Sequence, residues 1–152
     1  VDESIKLVKE FNDSGAMKTL KPIDDSVHYL RKICDEFDYK IVFISACGDY
    51  HNETIPYKDR FECLETIIGK DNIYDLHCVA TSSHKEEHLK RYNDPGALWI
   101  DDVPKNVKLG QSLGYDSYLY DSFHNKNYTE NIPRIDSWKH IYDIIEKKEA
   151  TQ

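Results

Sequence analysis

Asp101 and Asp102 carry the clearest chemical potential in this sequence. They stand side by side directly after the apolar run Leu98-Trp99-Ile100, and Pro104 follows soon after. Gly96 before the run, the Pro-containing turn, and an apolar helical pattern over 106–113 closed by Gly114 predict strand, turn and helix. Open α/β sheets bind ligands outside the carboxyl ends of their strands, where these acids would lie. Two adjacent carboxylates repel each other unless a cation is near, and Mg²⁺ is a hard cation that takes carboxylate oxygens. The plainer alternative is a helix N-cap beside an acid that faces the helix dipole.

Two other predicted strand ends add polar groups. Ser45-Ala46-Cys47-Gly48 follows the β-branched run 39–44, and Thr81-Ser82-Ser83 with Lys85 follows the run 76–80. A hydroxyl, a lysine and a carboxylate pair meeting at one sheet edge suit a phosphate held with a divalent cation. Ser45 and the backbone N–H groups of Ala46 and Cys47 would cradle phosphate oxygens. Lys85 would neutralise the transferring group, and Asp101 and Asp102 would hold the metal. Each feature alone has a bland reading: a serine at a strand end caps, and a lysine on a polar helix faces water.

The elements that must position these groups alternate. Residues 3–12 place Ile5 and Val8, with Leu7 and Phe11, on a helical face that stops at Asn12-Asp13-Ser14-Gly15. Asp24 or Asp25 caps a second helix running through Val27, Leu30, Ile33 and Cys34 to about Phe37. The run 39–44 reads as a buried strand, 49–56 as a polar loop, and 57–68 as a helix closed by Gly69. After the strand 76–80 come a polar helix over 84–92, the acidic strand with its helix, a strand over 115–120, a loop over 121–133 holding His124-Asn125, and a helix over 137–147. Strands alternating with helices predict a three-layer α/β fold around a parallel sheet.

Composition narrows the function classes. A chain of 152 residues is long enough for one domain with a real core. A net charge of −8 argues against wrapping duplex nucleic acid, which needs a basic footprint. No apolar run reaches membrane-spanning length, and no signal peptide is visible. Cys34, Cys47, Cys63 and Cys78 fall singly with no C-x-x-C, as buried thiols of a reducing cytoplasm do. The C-x₅-R loop of a cysteine phosphatase is missing around Cys47. His84 and His88 are spaced to share a helix face, but no third ligand stands near them. The eleven tyrosines read chiefly as packing residues, several of them in or beside the strand 115–120.

These motifs together resemble the haloacid dehalogenase (HAD) superfamily of phosphatases, and within it the 5′(3′)-deoxyribonucleotidases. Residues 41–46 are similar to the second motif, a strand ending in Ser or Thr. Lys85 is similar to the third-motif lysine, with Lys90 as the fallback, and 98–102 to the fourth motif. The resemblance extends to Tyr57-Lys58-x-Arg60-Phe61, to His124-Asn125 and to Ser137-Trp138, and spans roughly residues 18–147. It implies a HAD-like Rossmannoid fold with little or no cap domain. It also implies a cytoplasmic Mg²⁺-dependent phosphomonoesterase acting on a small phosphorylated substrate, a nucleoside monophosphate above all. Ser45 and Ala46 would bind phosphate, with Lys58 a basic residue near it. Lys85 would stabilise the phosphorylated intermediate, and Asp102 would hold the metal with Asp101 in support. A catalytically inactive HAD scaffold that binds a nucleotide or a protein partner is the alternative.

One family feature is not matched. The first motif is a strand ending in Asp-x-Asp, whose first Asp is the nucleophile, and no such strand is present. Val1-Asp2-Glu3-Ser4 would be the tail of one; Asp2 and Ser4 read equally well as helix caps. In the family this strand lies between those bearing motifs two and four. Losing it would expose buried backbone edges at roughly 1–3 kcal/mol per lost hydrogen bond. A domain has only about 5–15 kcal/mol of net stability. The expectation is a segment of roughly ten to twenty residues ahead of Val1, or a strand from another chain, that completes the sheet.

Overall fold

The computed structural model describes residues 3–23, 25–47, 54–79 and 85–151. Asp2, Asp24, Gly48, most of the polar loop, Thr81-Ser82-Ser83 and His84 lie outside the described residues. The chain divides between His84 and Lys85 into two compact units.

The first unit opens with α1 (Glu3–Asp13), which Gly15, at φ +76°, turns into a short 3₁₀ segment at Ala16–Thr19. α2 (Ser26–Phe37) buries Leu30, Ile33 and Cys34 at helical spacing, as the sequence predicts. Asp25 occupies its N-cap position without a side-chain cap hydrogen bond; the Ser26 hydroxyl instead donates to the Ile23 carbonyl at 2.7 Å. β1 (Ile41–Ala46) follows, then α3 (Thr54–Ile68) and β2 (Ile73–Val79). α3 begins earlier than the sequence suggests, with Pro56 in its first turn, where the missing N–H has no partner to lose.

β1 and β2 pair in parallel, with Ser45 opposite Cys78 and Ala46 opposite Val79. The backbone N–H of Cys47 extends this ladder to the Val79 carbonyl at 3.0 Å. Asn12, buried in α1, donates to the Cys47 carbonyl at 3.0 Å and so ties the helix to the end of β1. The sheet has these two strands alone among the described residues, which leaves one edge of β1 open. Its apolar residues Ile41 to Ile44 are accordingly half-buried where the sequence reads as a buried strand.

The second unit runs α4 (Lys85–Arg91), β3 (Leu98–Asp101), α5 (Pro104–Ser112), β4 (Asp116–Tyr120), β5 (Arg134–Ile135) and α6 (Trp138–Glu149). Its three strands are parallel in the order β3-β4-β5. Pro104 sits in the first turn of α5, where its fixed φ suits a helix start. Ser137 caps α6 by accepting from the His140 N–H at 3.2 Å. The sequence reading missed the two-residue β5, which is too short for periodicity to reveal. Val107, Leu119 and Ile132 form a buried cluster with Tyr128 packed against it. Tyr115 is buried and donates to the Leu89 carbonyl at 2.6 Å, a packing role with its hydroxyl satisfied. No described helix is long and apolar enough to cross a membrane.

α5 packs closely on this sheet. A Cβ at Gly110 would meet Ser117 Oγ and Trp99 Cδ1 at 2.5 Å each. In an open helix interior Gly→Ala stabilises; here it collides with side chains under strand and helix. Gly110→Ala is expected to destabilise the protein by about 1–3 kcal/mol, the usual overpacking cost, in chemical denaturation. A stability equal to or above wild type would contradict the close packing of α5.

Candidate active site

The acidic turn belongs to the second unit. Asp101 closes β3 with its side chain 4% exposed, and its carboxylate is fully engaged. Lys85 Nζ donates to Oδ2 at 2.6 Å. Asn106 Nδ2 donates to both oxygens, at 3.1 and 3.2 Å, and the Val103 N–H donates to Oδ1 at 2.8 Å. A buried carboxylate survives only with such partners. Lys85, first residue of α4, also lies 5.4 Å from the centroid of the Trp99 ring. Trp99 in turn donates from Nε1 to the Asn106 carbonyl at 3.0 Å. Strand, turn and helix start are thus bound into one network.

Asp102 is placed differently. Its side chain is 53% exposed, with His124 Nε2 3.4 Å from Oδ2. Its backbone carbonyl accepts from Asn125 Nδ2 at 2.8 Å, and His124 Nε2 lies 3.1 Å from the same oxygen. Asn125 is 2% exposed and uses all of its amide. Nδ2 also donates to the Tyr120 carbonyl at 2.8 Å, while Oδ1 accepts from the Ser122 N–H at 3.1 Å and from Arg134 at 2.9 Å. One side chain therefore joins the acidic turn, the end of β4 and β5. Neither aspartate caps α5: its N-cap is Val103.

Of the two candidate lysines, Lys85 reaches the aspartate. Lys90 pairs with Glu86 at 2.7 Å on the exposed side of α4. Among the described residues no three His, Cys, Asp or Glu side chains gather to hold a metal. Mg²⁺ needs less, because it keeps several waters and takes one or two carboxylates with substrate phosphate. Asp102 has the accessible carboxylate for that, whereas the oxygens of Asp101 are spoken for.

In the first unit the candidate residues lie at the end of β1 and on α3. Ser45 is half-buried there and Ala46 exposed. The Cys47 N–H is consumed by its bond to Val79, so the expected cradle of two consecutive backbone donors is corrected to exclude it. Lys58 lies on the exposed face of α3, 4.0 Å from Glu62. Asp59, one residue on, is buried and pairs with Lys18 at 3.2 Å. The four cysteines are free thiols. Burial pushes the Cys34 thiol up. Cys47 goes the other way, to about 6, through a hydrogen bond from Cys78. Burial opposes that shift, and the Ser45 hydroxyl and the Arg60 guanidinium add to it.

Sequence reading located Asp101, Asp102, Lys85 and Ser45 but gave no role to Asn106 or Asn125. The signal for Asn106 was a polar side chain in the first turn after the acids. For Asn125 the signals were the His-Asn pair and the Ser122-x-x-Asn125 spacing of a capping box, which do not show its links to Asp102 and Arg134.

Two outcomes are expected here. Asn125→Ala removes the buried amide that joins the Asp102 and Tyr120 carbonyls to the Ser122 N–H and Arg134, and should cost about 1–3 kcal/mol in denaturation. For Cys47, the folded thiol is depressed while the unfolded one is ordinary, so the unfolded state binds more protons between them. Stability should rise with pH from about 6 toward the ordinary thiol range and be lost as pH falls through 6. Thiolate absorbance should show a step near pH 6 that Cys47→Ser removes; a wild-type step solely in the ordinary range would contradict it.

A family model described as 5′ nucleotidase, deoxy (pyrimidine), cytosolic type C protein matches residues 3–151. No curated protein and no solved structure matches the chain.

Proposed function

Because the chain belongs to the cytosolic type C deoxy-5′-nucleotidase family of HAD phosphatases, we propose that it is a cytoplasmic Mg²⁺-dependent phosphomonoesterase that hydrolyses a nucleoside monophosphate. The observation that carries this reading is the division of labour between the two aspartates. Asp101 is saturated by Lys85, Asn106 and the Val103 N–H, so it acts as the anchor that aims Lys85. Asp102 keeps an accessible carboxylate on a backbone pinned by Asn125.

In this reading Asp102 holds Mg²⁺, with Asp101 in support. Bound Mg²⁺ would offset the charge of the phosphate oxygens. Lys85 places an ammonium beside the transferring group and stabilises its developing charge. Ser45 donates its hydroxyl to a phosphate oxygen, Ala46 lends its backbone N–H, and Lys58 adds positive charge nearby. The nucleophile is an aspartate whose carboxylate attacks phosphorus as the P–O bond to the nucleoside breaks. The second Asp of the same motif protonates the leaving oxygen, and water then hydrolyses the aspartyl-phosphate to free phosphate. We assign the nucleophile to an Asp-x-Asp strand beyond the 152 residues of this chain. Such a strand would pair on the open edge of β1. The half-buried apolar residues of β1 support that assignment, since an apolar edge strand is normally covered.

The test uses the full-length protein with deoxynucleoside monophosphates. Phosphate release should require Mg²⁺ and stop on chelation. Asp102→Asn and Lys85→Ala should each lower kcat by about 10²–10³, the effect of removing one aimed electrostatic group. Retained activity in Asp102→Asn, or no response to chelation, would sink the Mg²⁺ assignment. A folded, nucleotide-binding protein without turnover would favour a non-catalytic scaffold.

A further inference from the structure

Lys58 is the basic residue that the family pattern puts near the phosphate, yet its side chain is 72% exposed and leans toward Glu62. Another cation of α3 is better placed. Arg60 is half-buried, and its Nε is sealed from solvent without a hydrogen-bond partner. Among the described residues no ion pair joins Arg60 to a carboxylate, in a chain where Lys18, Lys85 and Arg134 all have one. The Arg60 guanidinium and the Ser45 hydroxyl both lower the Cys47 thiol, which places both near that sulfur. Ser45 and Arg60 therefore lie near one another at the carboxyl end of β1, where the Cys47 N–H and carbonyl are locked to Val79 and Asn12.

A buried guanidinium donor left open costs free energy unless an acceptor arrives. The planar guanidinium grips phosphate through two parallel N–H bonds, which an ammonium cannot do. We propose that Arg60, whose Nε is sealed from solvent without a partner, holds the phosphate of the substrate together with Ser45 at the end of β1. This rests on the nucleotidase reading and names a binding residue within it. Two consequences distinguish it from a merely structural Arg60–Cys47 pair. Phosphate takes over the Arg60 charge and adds a negative one beside the sulfur, so its binding pushes the Cys47 thiol back up. Loss of the guanidinium weakens phosphate more than loss of the exposed lysine does.

The experiment is titration of the full-length protein with inorganic phosphate by calorimetry, with Cys47 thiolate absorbance followed in parallel. Wild type, Arg60→Ala, Arg60→Gln and Lys58→Ala are compared, with circular dichroism as the check on folding. Arg60→Gln keeps much of the bulk if the alanine variant folds poorly. The expected result is a tenfold or greater loss of phosphate affinity in both Arg60 variants, a smaller loss in Lys58→Ala, and a phosphate-dependent fall in thiolate signal confined to proteins that retain Arg60. KM for a nucleoside monophosphate should rise with it while kcat changes less. If wild type and both Arg60 variants bind phosphate equally, or if Lys58→Ala carries the loss, the assignment of Arg60 is overturned while the nucleotidase reading stands. If wild type neither binds phosphate nor hydrolyses nucleoside monophosphates, that reading falls and takes this one with it.

Discussion

A carboxylate taken out of water must be repaid by partners on every lone pair, or it takes up a proton. Asp101 meets that condition with an ammonium, a side-chain amide and a backbone N–H, and the second unit is arranged around meeting it. The amide comes from the first turn of α5, the N–H from the residue that caps it, and the ammonium from the first residue of α4. Because the partners sit on three segments, the pair holds β3, α4 and α5 in one geometry. Its value is in that positioning rather than in net stability, since desolvation offsets much of a buried ion pair.

Asn125 does for the backbone what Lys85 does for the side chain. The Asp102 carbonyl sits at a turn after a strand end, where no ladder partner is available and another donor must take its place. Asn125 supplies it and links the turn to β4 and, through Arg134, to β5. The result is two adjacent aspartates with opposite environments: Asp101 sealed and saturated, Asp102 exposed on a fixed backbone. Chemistry that needs one carboxylate to aim a lysine and another to meet a cation is served by that asymmetry.

The first unit shows a different constraint. β1 ends beside groups that favour negative charge: Cys78, Ser45 and Arg60 each lower the Cys47 thiol. The environment that draws the Cys47 proton off is the one that would receive an oxyanion. The same strand has an open edge, and its apolar residues are less buried than their types suggest. Packing and polarity at β1 both point to further contacts for this strand.

Periodicity and punctuation alone determined most of the elements, because helical spacing, glycines at positive φ and a proline at a helix start act within a few residues. Gly15, Gly69, Gly96 and Gly114 all adopt positive φ where the sequence has stops. The acidic turn was legible for the same reason: two acids after an apolar run are a local signal. Tertiary structure decided what locality cannot carry. It paired Lys85 with Asp101 and left Lys90 with Glu86, because only one of the two lysines on a short helix faces the strand end. It separated the roles of neighbouring aspartates, because successive side chains at a strand end point to opposite sides. It gave Asn106 and Asn125 their hydrogen-bond partners, and it committed the Cys47 N–H to the ladder. The links from Lys85 to Asp101 and from Asn125 to Asp102 depend on which distant segments meet, and a hydrogen bond between residues far apart in the chain leaves no spacing for a sequence to show.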